Sequence, residues 1–298
     1  MARLMAQTKH EIQALLAGAG AEPRHRFGQN FMIDQNLVRL VADAGGIQAG
    51  DLVIEVGPGT GTLTDELLAR AAALEPAADV VAVEIDRDLA ALTRERLAAN
   101  ARFTLIEGDA LAGKHAVNEE LAAMIKAALA AGRGVRLVAN LPYNIASPLV
   151  IELLILGVQT LAFVVQKEVG DRLKGKAGTD DYGPLTVVAQ LLAEVEVLRK
   201  LPPGAFWPPP SVDSALVKMV RRDRLGARAT DVSRFVAAVF ASRRKTLRKA
   251  LTQAGYEPDA MIAKLGLDPQ CRAEELEPQV FLEMYEALAA EKTKNEKA

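Results

Sequence analysis

Between residue 34 and about residue 165 the apolar positions follow two alternating spacings. Short, mostly apolar runs recur at LVIEV (52–56), VVAVEI (80–85), FTLIEG (103–108), VRLVAN (135–140) and LAFVVQ (161–166). They have the length of strands and are too short for buried helices. Between them lie longer segments with apolar residues at helical spacing: LVRLVADAG, LTDELLARAAAL, RDLAALTRERLAA, ELAAMIKAALA and PLVIELLIL. Asp86 stands where it can cap the third of these. Strands separated by helices predict an α/β fold, a Rossmann-like doubly wound parallel sheet.

After residue 183 the rhythm changes. GPLTVVAQLLA has helical spacing, whereas AEVEVLRKL (193–201) and VDSALVKMVRR (212–222) alternate like antiparallel strands. PPGAFWPPPS, with five prolines in ten residues, separates them and cannot be a regular helix. From Asp231 onward the pattern is helical: SRFVAAVFASRRKTLRKALTQAG, EPDAMIAKLG and a last segment through Tyr285. The expected domains are 1–222, carrying the sheet, and 223–298, small and all-helical.

A chain of 298 residues with 50% hydrophobic content is long enough for one or two domains with a buried core. No window holds the roughly 20 uninterrupted apolar residues of a membrane span, and the first 20 residues make a poor signal peptide. The single cysteine, Cys271, excludes an intrachain disulfide. A cytoplasmic protein without a membrane partner is expected, and a monomer. The net charge of −2 argues against a nucleic-acid partner, but its distribution argues for one. Residues 218–250 hold eleven Lys/Arg against two Asp, a local +9, flanked by −6 before and −5 after. Arg243, Arg244, Lys245, Arg248 and Lys249 form its densest part. Read as one helix, these cations cluster on one side. Such a run is either a solvated face or a surface for RNA phosphates, and the size of the local charge favours phosphates.

Candidate chemistry sits at the ends of the predicted strands. Gly57, Gly59 and Gly61 form a GxGxG turn between LVIEV and the next helix, distinct from the GxGxxG and GK[ST] phosphate motifs. The turn either relieves crowding or lets a nucleoside cofactor approach the backbone. Glu84 can accept the hydroxyls of a ribose or serve as a helix N-terminal charge, a task Asp86 fills equally well. Asp109 can accept from an adenine amino group or cap a turn. Asn140-Leu141-Pro142-Tyr143 ends the fourth strand. Pro142 keeps Leu141 extended, so the Asn140 side-chain oxygen and the Leu141 carbonyl can each accept one N–H of an amino group, while Tyr143 offers a ring for stacking. Stacking needs the ring rather than the hydroxyl. Phe206 and Trp207, the latter the only tryptophan, either flank this base pocket or cover the sheet edge. His10, His25 and His115 are too scattered for a metal site, and no nucleophilic triad is visible. Together these residues point to methyl transfer from S-adenosylmethionine to a base nitrogen.

The ordered motifs RHRFGQNFMID, GPGTG, VEID, EGDAL, NLPYNIASP, VVQKEVGDRL, DYGPLTVVAQ, FWPPPSVDSA and FASRRKTLRKAL resemble the ribosomal RNA small-subunit adenine dimethyltransferase family (KsgA/RsmA) over about 230 residues. The resemblance implies cofactor contacts from Asn30 and the Met32 backbone, then from Gly57, Glu84, Asp109 and Asn140. It implies as substrate two adjacent adenosines in the 3′-terminal hairpin of 16S rRNA, in a 30S subunit or its precursor, each receiving two N6 methyls. Met32 replaces a common Leu, and residues 110–134 are longer than the family norm. Three alternatives stay open: a non-catalytic RNA- or DNA-binding assembly or transcription factor, a 23S rRNA methyltransferase and a DNA adenine N6-methyltransferase.

Overall fold

A computed structural model of the chain describes residues 7–24, 28–113, 116–222 and 224–295; His25 and His115 lie outside them. Seven strands form one sheet: β1 (Leu52–Val56), β2 (Asp79–Glu84), β3 (Phe103–Glu107), β4 (Val135–Asn140), β5 (Thr160–Gln166), β6 (Ala193–Leu201) and β7 (Ser214–Arg221). Their spatial order is β3-β2-β1-β4-β5-β7-β6. The first five pair in parallel, with Leu52 beside both Asp79 and Val135. Strand β7 runs antiparallel to β5, Ser214 opposite Gln166 and Val220 opposite Thr160. The chain winds outward from β1 to β3 and then returns to β4, so β1 and β4 flank the switch point where ligands bind at the carboxyl ends of such sheets.

Twelve helices accompany the sheet in the described residues: α1 (Lys9–Gly18), α2 (Gln35–Gly45), α3 (Thr62–Ala72), α4 (Arg87–Leu97), α5 (Glu119–Ala130), α6 (Ala146–Leu156), α7 (Lys167–Leu173), α8 (Pro184–Leu192), α9 (Ala229–Phe240), α10 (Leu247–Gln253), α11 (Asp259–Leu265) and α12 (Pro278–Asn295). Helix α2 shows how sequence sets packing. Asp34 caps it by accepting from the amides of Asn36 at 2.8 Å and Leu37 at 3.2 Å. Leu37, Val38, Val41 and Ala42 are then buried, each larger side chain contributing about 1.5–3 kcal/mol. A Cβ at Gly45 would lie 2.4 Å from Val138, so Gly45→Ala would force the helix off β4.

The chain forms two compact units. One consists of the residues through Gly170 together with Glu196–Arg221; the other of Asp171–Val195 and the residues from Arg222 on. The sequence places the boundary near 222, where the chain passes into the second unit for the last time. The earlier excursion of Asp171–Val195 is set by contacts the local pattern does not show. The Tyr182 hydroxyl donates to the Leu276 carbonyl at 2.5 Å, and its ring lies 6.2 Å from that of Phe240.

Each expected strand is present, with ends shifted by at most one residue at β2, β3 and β5 and by two or less at β7. The basic run differs. It is not one helix: α9 stops at Phe240, residues 241–246 turn, and α10 begins at Leu247. Leu247 is wholly buried and its amide donates to the Cys271 carbonyl at 2.7 Å, which pulls the chain away from a continuous helix. Within 110–134 the described residues hold two short antiparallel strands, Leu111–Gly113 and Ala116–Val117, and α5.

Candidate active site

A pocket opens at the carboxyl ends of β1, β2, β3 and β4. Asn30, Met32, Gly57, Gly59, Glu84, Asp109 and Asn140 all line it, so the seven expected cofactor positions converge. The glycine turn is closely packed. Gly59 has φ +60, and a Cβ there would lie 2.8 Å from the Phe31 ring; a Cβ at Gly57, φ +73, would lie 3.4 Å from Pro142. Both glycines hold the left-handed backbone that side chains disfavour, and at Gly59 a side chain would run into the Phe31 ring.

Glu84 is 4% exposed. One carboxylate oxygen accepts from the Gly59 amide at 3.2 Å and the other from the Asp86 amide at 2.9 Å. Burial pushes its pKa up to about 7, partly opposed by these amides. The helix-cap reading belongs instead to Asp86, which accepts from the Asp88 amide at 3.1 Å and the Gln29 side chain at 2.9 Å and pairs with Arg24. Glu84 is thereby left facing the pocket. Asp109 caps a turn, one oxygen accepting from the Leu111 amide at 2.9 Å, and the residue also lines the pocket.

Asn140 ends β4. Its amide nitrogen donates to the Asn30 carbonyl at 2.7 Å. Its oxygen is then the atom left to accept from a ligand. Pro142 also lines the pocket, but Leu141 and Tyr143 do not. The Leu141 side chain is buried and its amide donates to the Val164 carbonyl at 3.1 Å. The Tyr143 ring is half-buried, its hydroxyl 2.7 Å from that of Ser214. Phe206 and Trp207 meet the other side of the site. They pair antiparallel with Met32 and Phe31, and the rings of Phe31 and Trp207 stack at 6.4 Å. A glycine-walled pocket with a buried carboxylate and a half-exposed apolar side chain, Ile85, suits a nucleoside-bearing cofactor.

The family model for ribosomal RNA adenine dimethylase matches residues 20–290. The chain belongs to this family. It is 38% identical over 287 residues to ribosomal RNA small subunit methyltransferase A of Moorella thermoacetica, covering 92% of this chain and 96% of the relative. Among solved structures, a dimethyladenosine transferase from Plasmodium falciparum matches with TM-score 0.65 at 22% identity, over 85% of this chain and 95% of that one. The 23S rRNA methyltransferase ErmE matches with TM-score 0.60 at 26% identity, over 87% and 100%. This dimethylase is an S-adenosylmethionine-dependent enzyme of rRNA modification, and its glycine turn, Glu84 and Ile85 fit that cofactor.

Sequence reasoning missed two contributors to the dimethylase pocket. Glu55, inside the apolar run LVIEV, lines the pocket and is 2% exposed. It accepts from the Thr64 hydroxyl at 2.7 Å, and burial pushes its pKa up to about 8. An acid in a strand otherwise made of Leu, Val and Ile was the available signal. Gln7 gave none. Its oxygen accepts from the hydroxyls of Thr60 at 2.7 Å and Thr62 at 3.0 Å, and its nitrogen donates to the Thr60 carbonyl at 3.0 Å. Thr93 donates to the Gly59 carbonyl at 3.0 Å, and Arg96 bonds Asp65 and the Thr60 carbonyl. The turn is thus held from outside, leaving its inner side to the pocket.

The basic residues lie in the second unit and are all exposed. Arg243 pairs with Glu274, and Arg248 with Asp259 at 2.7 Å. Arg244, Lys245 and Lys249 have no ion pair among the described residues. Among those residues no helix is long and apolar enough to cross a membrane.

Proposed function

We propose that this dimethylase adds two methyl groups to N6 of each of two adjacent adenosines in the 3′-terminal hairpin of 16S rRNA, acting as a cytoplasmic monomer on the 30S subunit or its precursor. Likeness to small subunit methyltransferase A over nearly the whole of both chains supports the small-subunit assignment. The observation that carries the chemistry is Asn140, whose oxygen is left to accept in the same pocket as Glu84 and the glycine turn.

S-adenosylmethionine supplies an electrophilic methyl group on a charged sulfonium. Glu84 accepts from the ribose hydroxyls, Asp109 from the cofactor's adenine amino group, and Asn30, Met32, Gly57 and Gly59 form the remaining wall. Ile85 gives an apolar face. The target adenine leaves its stack, as bases modified by enzymes do, and rests on the Tyr143 ring. In the first transfer the Asn140 oxygen and the Leu141 carbonyl each accept a hydrogen bond from one N6–H, and in the second the one remaining N–H is held; this draws the nitrogen lone pair out of the ring and makes it nucleophilic. No strong side-chain base is needed, since the proton departs after the methyl has arrived. Arg243, Arg244, Lys245, Arg248 and Lys249 bind rRNA phosphates.

A substrate panel tests this reading: cofactor-saturated methylation of 30S particles, 50S particles, naked RNA and duplex DNA. Label should appear at two adjacent adenosines in the 30S sample. Label in 23S rRNA or in DNA would reassign the substrate, and cofactor binding without transfer to any sample would leave a non-catalytic factor.

A further inference from the structure

The proline-rich stretch delivers a residue that this chemistry leaves unused. Ser214 opens β7 and has no exposed surface. Its backbone is fixed opposite Gln166 of β5. Its hydroxyl lies 2.7 Å from the Tyr143 hydroxyl, and neither has another partner among the described residues. The NLPY turn hangs on the same strand from the other side, through the Leu141 amide and the Val164 carbonyl at 3.1 Å. Strand β5 thus sets the spacing between the two hydroxyls.

A tyrosine ring attached only at its Cβ can swing and tilt. A second attachment at the far end of the ring fixes its plane. A base that stacks on the ring then finds one surface rather than many, and orientation is a large part of catalysis when the reacting atoms must be in line. Burial raises the Tyr143 pKa, so the hydroxyl stays protonated and the bond stays uncharged at working pH.

We propose that Ser214 is a positioning residue for methyl transfer, pinning the Tyr143 ring in the plane against which the target adenine stacks. This rests on the reading of Tyr143 as the stacking face. The same stretch of chain holds the cofactor side of the pocket, where Phe206 and Trp207 pair with Met32 and Phe31. Residues 206–214 therefore neither simply flank the pocket nor simply cover an edge. They brace the two reacting partners from one segment.

The test is single-turnover methylation of 30S particles at saturating cofactor, with Ser214→Ala, Tyr143→Phe, the double variant and Tyr143→Ala. Ser214→Ala and Tyr143→Phe should each slow transfer about three- to tenfold, the effect of one uncharged hydrogen bond. The double variant should be no slower than either single one, because both remove the same bond. Cofactor Kd should stay within about twofold of wild type, which separates positioning from general loosening of the fold. If Tyr143→Ala is inactive while Ser214→Ala or Tyr143→Phe transfers at the wild-type rate, the pin is refuted and the stacking role stands. Wild-type activity of Tyr143→Ala would remove the stacking role and the pin with it. Losses that add in the double variant, or that follow cofactor affinity, also overturn the proposal. Should Ser214→Ala fail to fold, Tyr143→Phe alone decides by the same criterion.

Discussion

The pocket and the basic segment use polar groups in opposite ways. In the pocket, Glu84 is 4% exposed and each of its oxygens has a defined amide partner. In the segment around Arg243 to Lys249 the side chains are exposed, and two of the cations spend part of their charge on Glu274 and Asp259. Buried groups act through geometry, because an unpaired partner there cannot turn to water. Exposed cations act through their sum, since each pair is weak and screened. Single substitutions should therefore produce sharp, salt-insensitive losses at the pocket and graded, salt-dependent losses at the segment.

The largest effect should come from Asn140→Ala. It removes the acceptor proposed for the reacting nitrogen and should slow single-turnover transfer on the order of 10²–10³-fold, the range for one preorganised transition-state contact. RNA affinity should be unchanged in a filter-binding assay; a parallel loss of RNA affinity would erase the contrast between the two regions. Next is Glu84→Ala. Calorimetry should show S-adenosylmethionine binding weakened by about 1–3 kcal/mol, and unchanged affinity would take Glu84 out of the site.

Changing Arg244, Lys245 and Lys249 together to Gln should lower the slope of log RNA affinity against log salt by about two, at roughly 0.7 per single-strand phosphate contact. Changing the acid-paired Arg243 and Arg248 should lower it less per residue. Equal slopes for wild type and the triple variant would leave only a solvated face. Gln7→Ala should weaken cofactor binding about fivefold, near the worth of one net hydrogen bond. If affinity holds, Thr93 and Arg96 suffice to fix the turn. A further readout is stability against pH, on an axis separate from binding and transfer. The folded pKa of Glu55 stands at about 8, raised from 4.5 by burial. Between those values the unfolded chain has released the proton and the folded chain keeps it, so stability falls as pH rises through the window and levels off above it. Melting curves from pH 5 to 8.5 should show a flatter decline for Glu55→Gln, with Glu84 contributing the remainder in the same direction. A decline unaltered by Glu55→Gln would mean that Glu55 titrates normally.

The parallel strands were legible because both faces of β1, β4 and β5 are covered, which requires nearly continuous apolar runs. The seven pocket positions were legible because they lie at strand ends or in motifs. Other parts depend on residues far apart in the chain. Gln7 reaches Thr60 across 53 positions, and no local spacing announces that. The strand Phe31–Met32 has two residues, too few to show a period, and exists because Phe206 and Trp207 supply its partner. The basic run has helical spacing throughout, yet burial of Leu247 and its bond to Cys271 break it. Asp171–Val195 leaves the first unit because Tyr182 finds Leu276 and Phe240, both remote in sequence.

The stack of Phe31 on Trp207 has a practical consequence. Trp207 is the only tryptophan in the chain, and Phe31 both lines the pocket and rests over Gly59. The protein's ultraviolet emission therefore has one indole source, one ring away from the glycine turn. A fluorimeter titration without any dye or label should therefore show the indole emission change as the pocket fills, and an unchanged spectrum would mean that Phe31 keeps its place on binding.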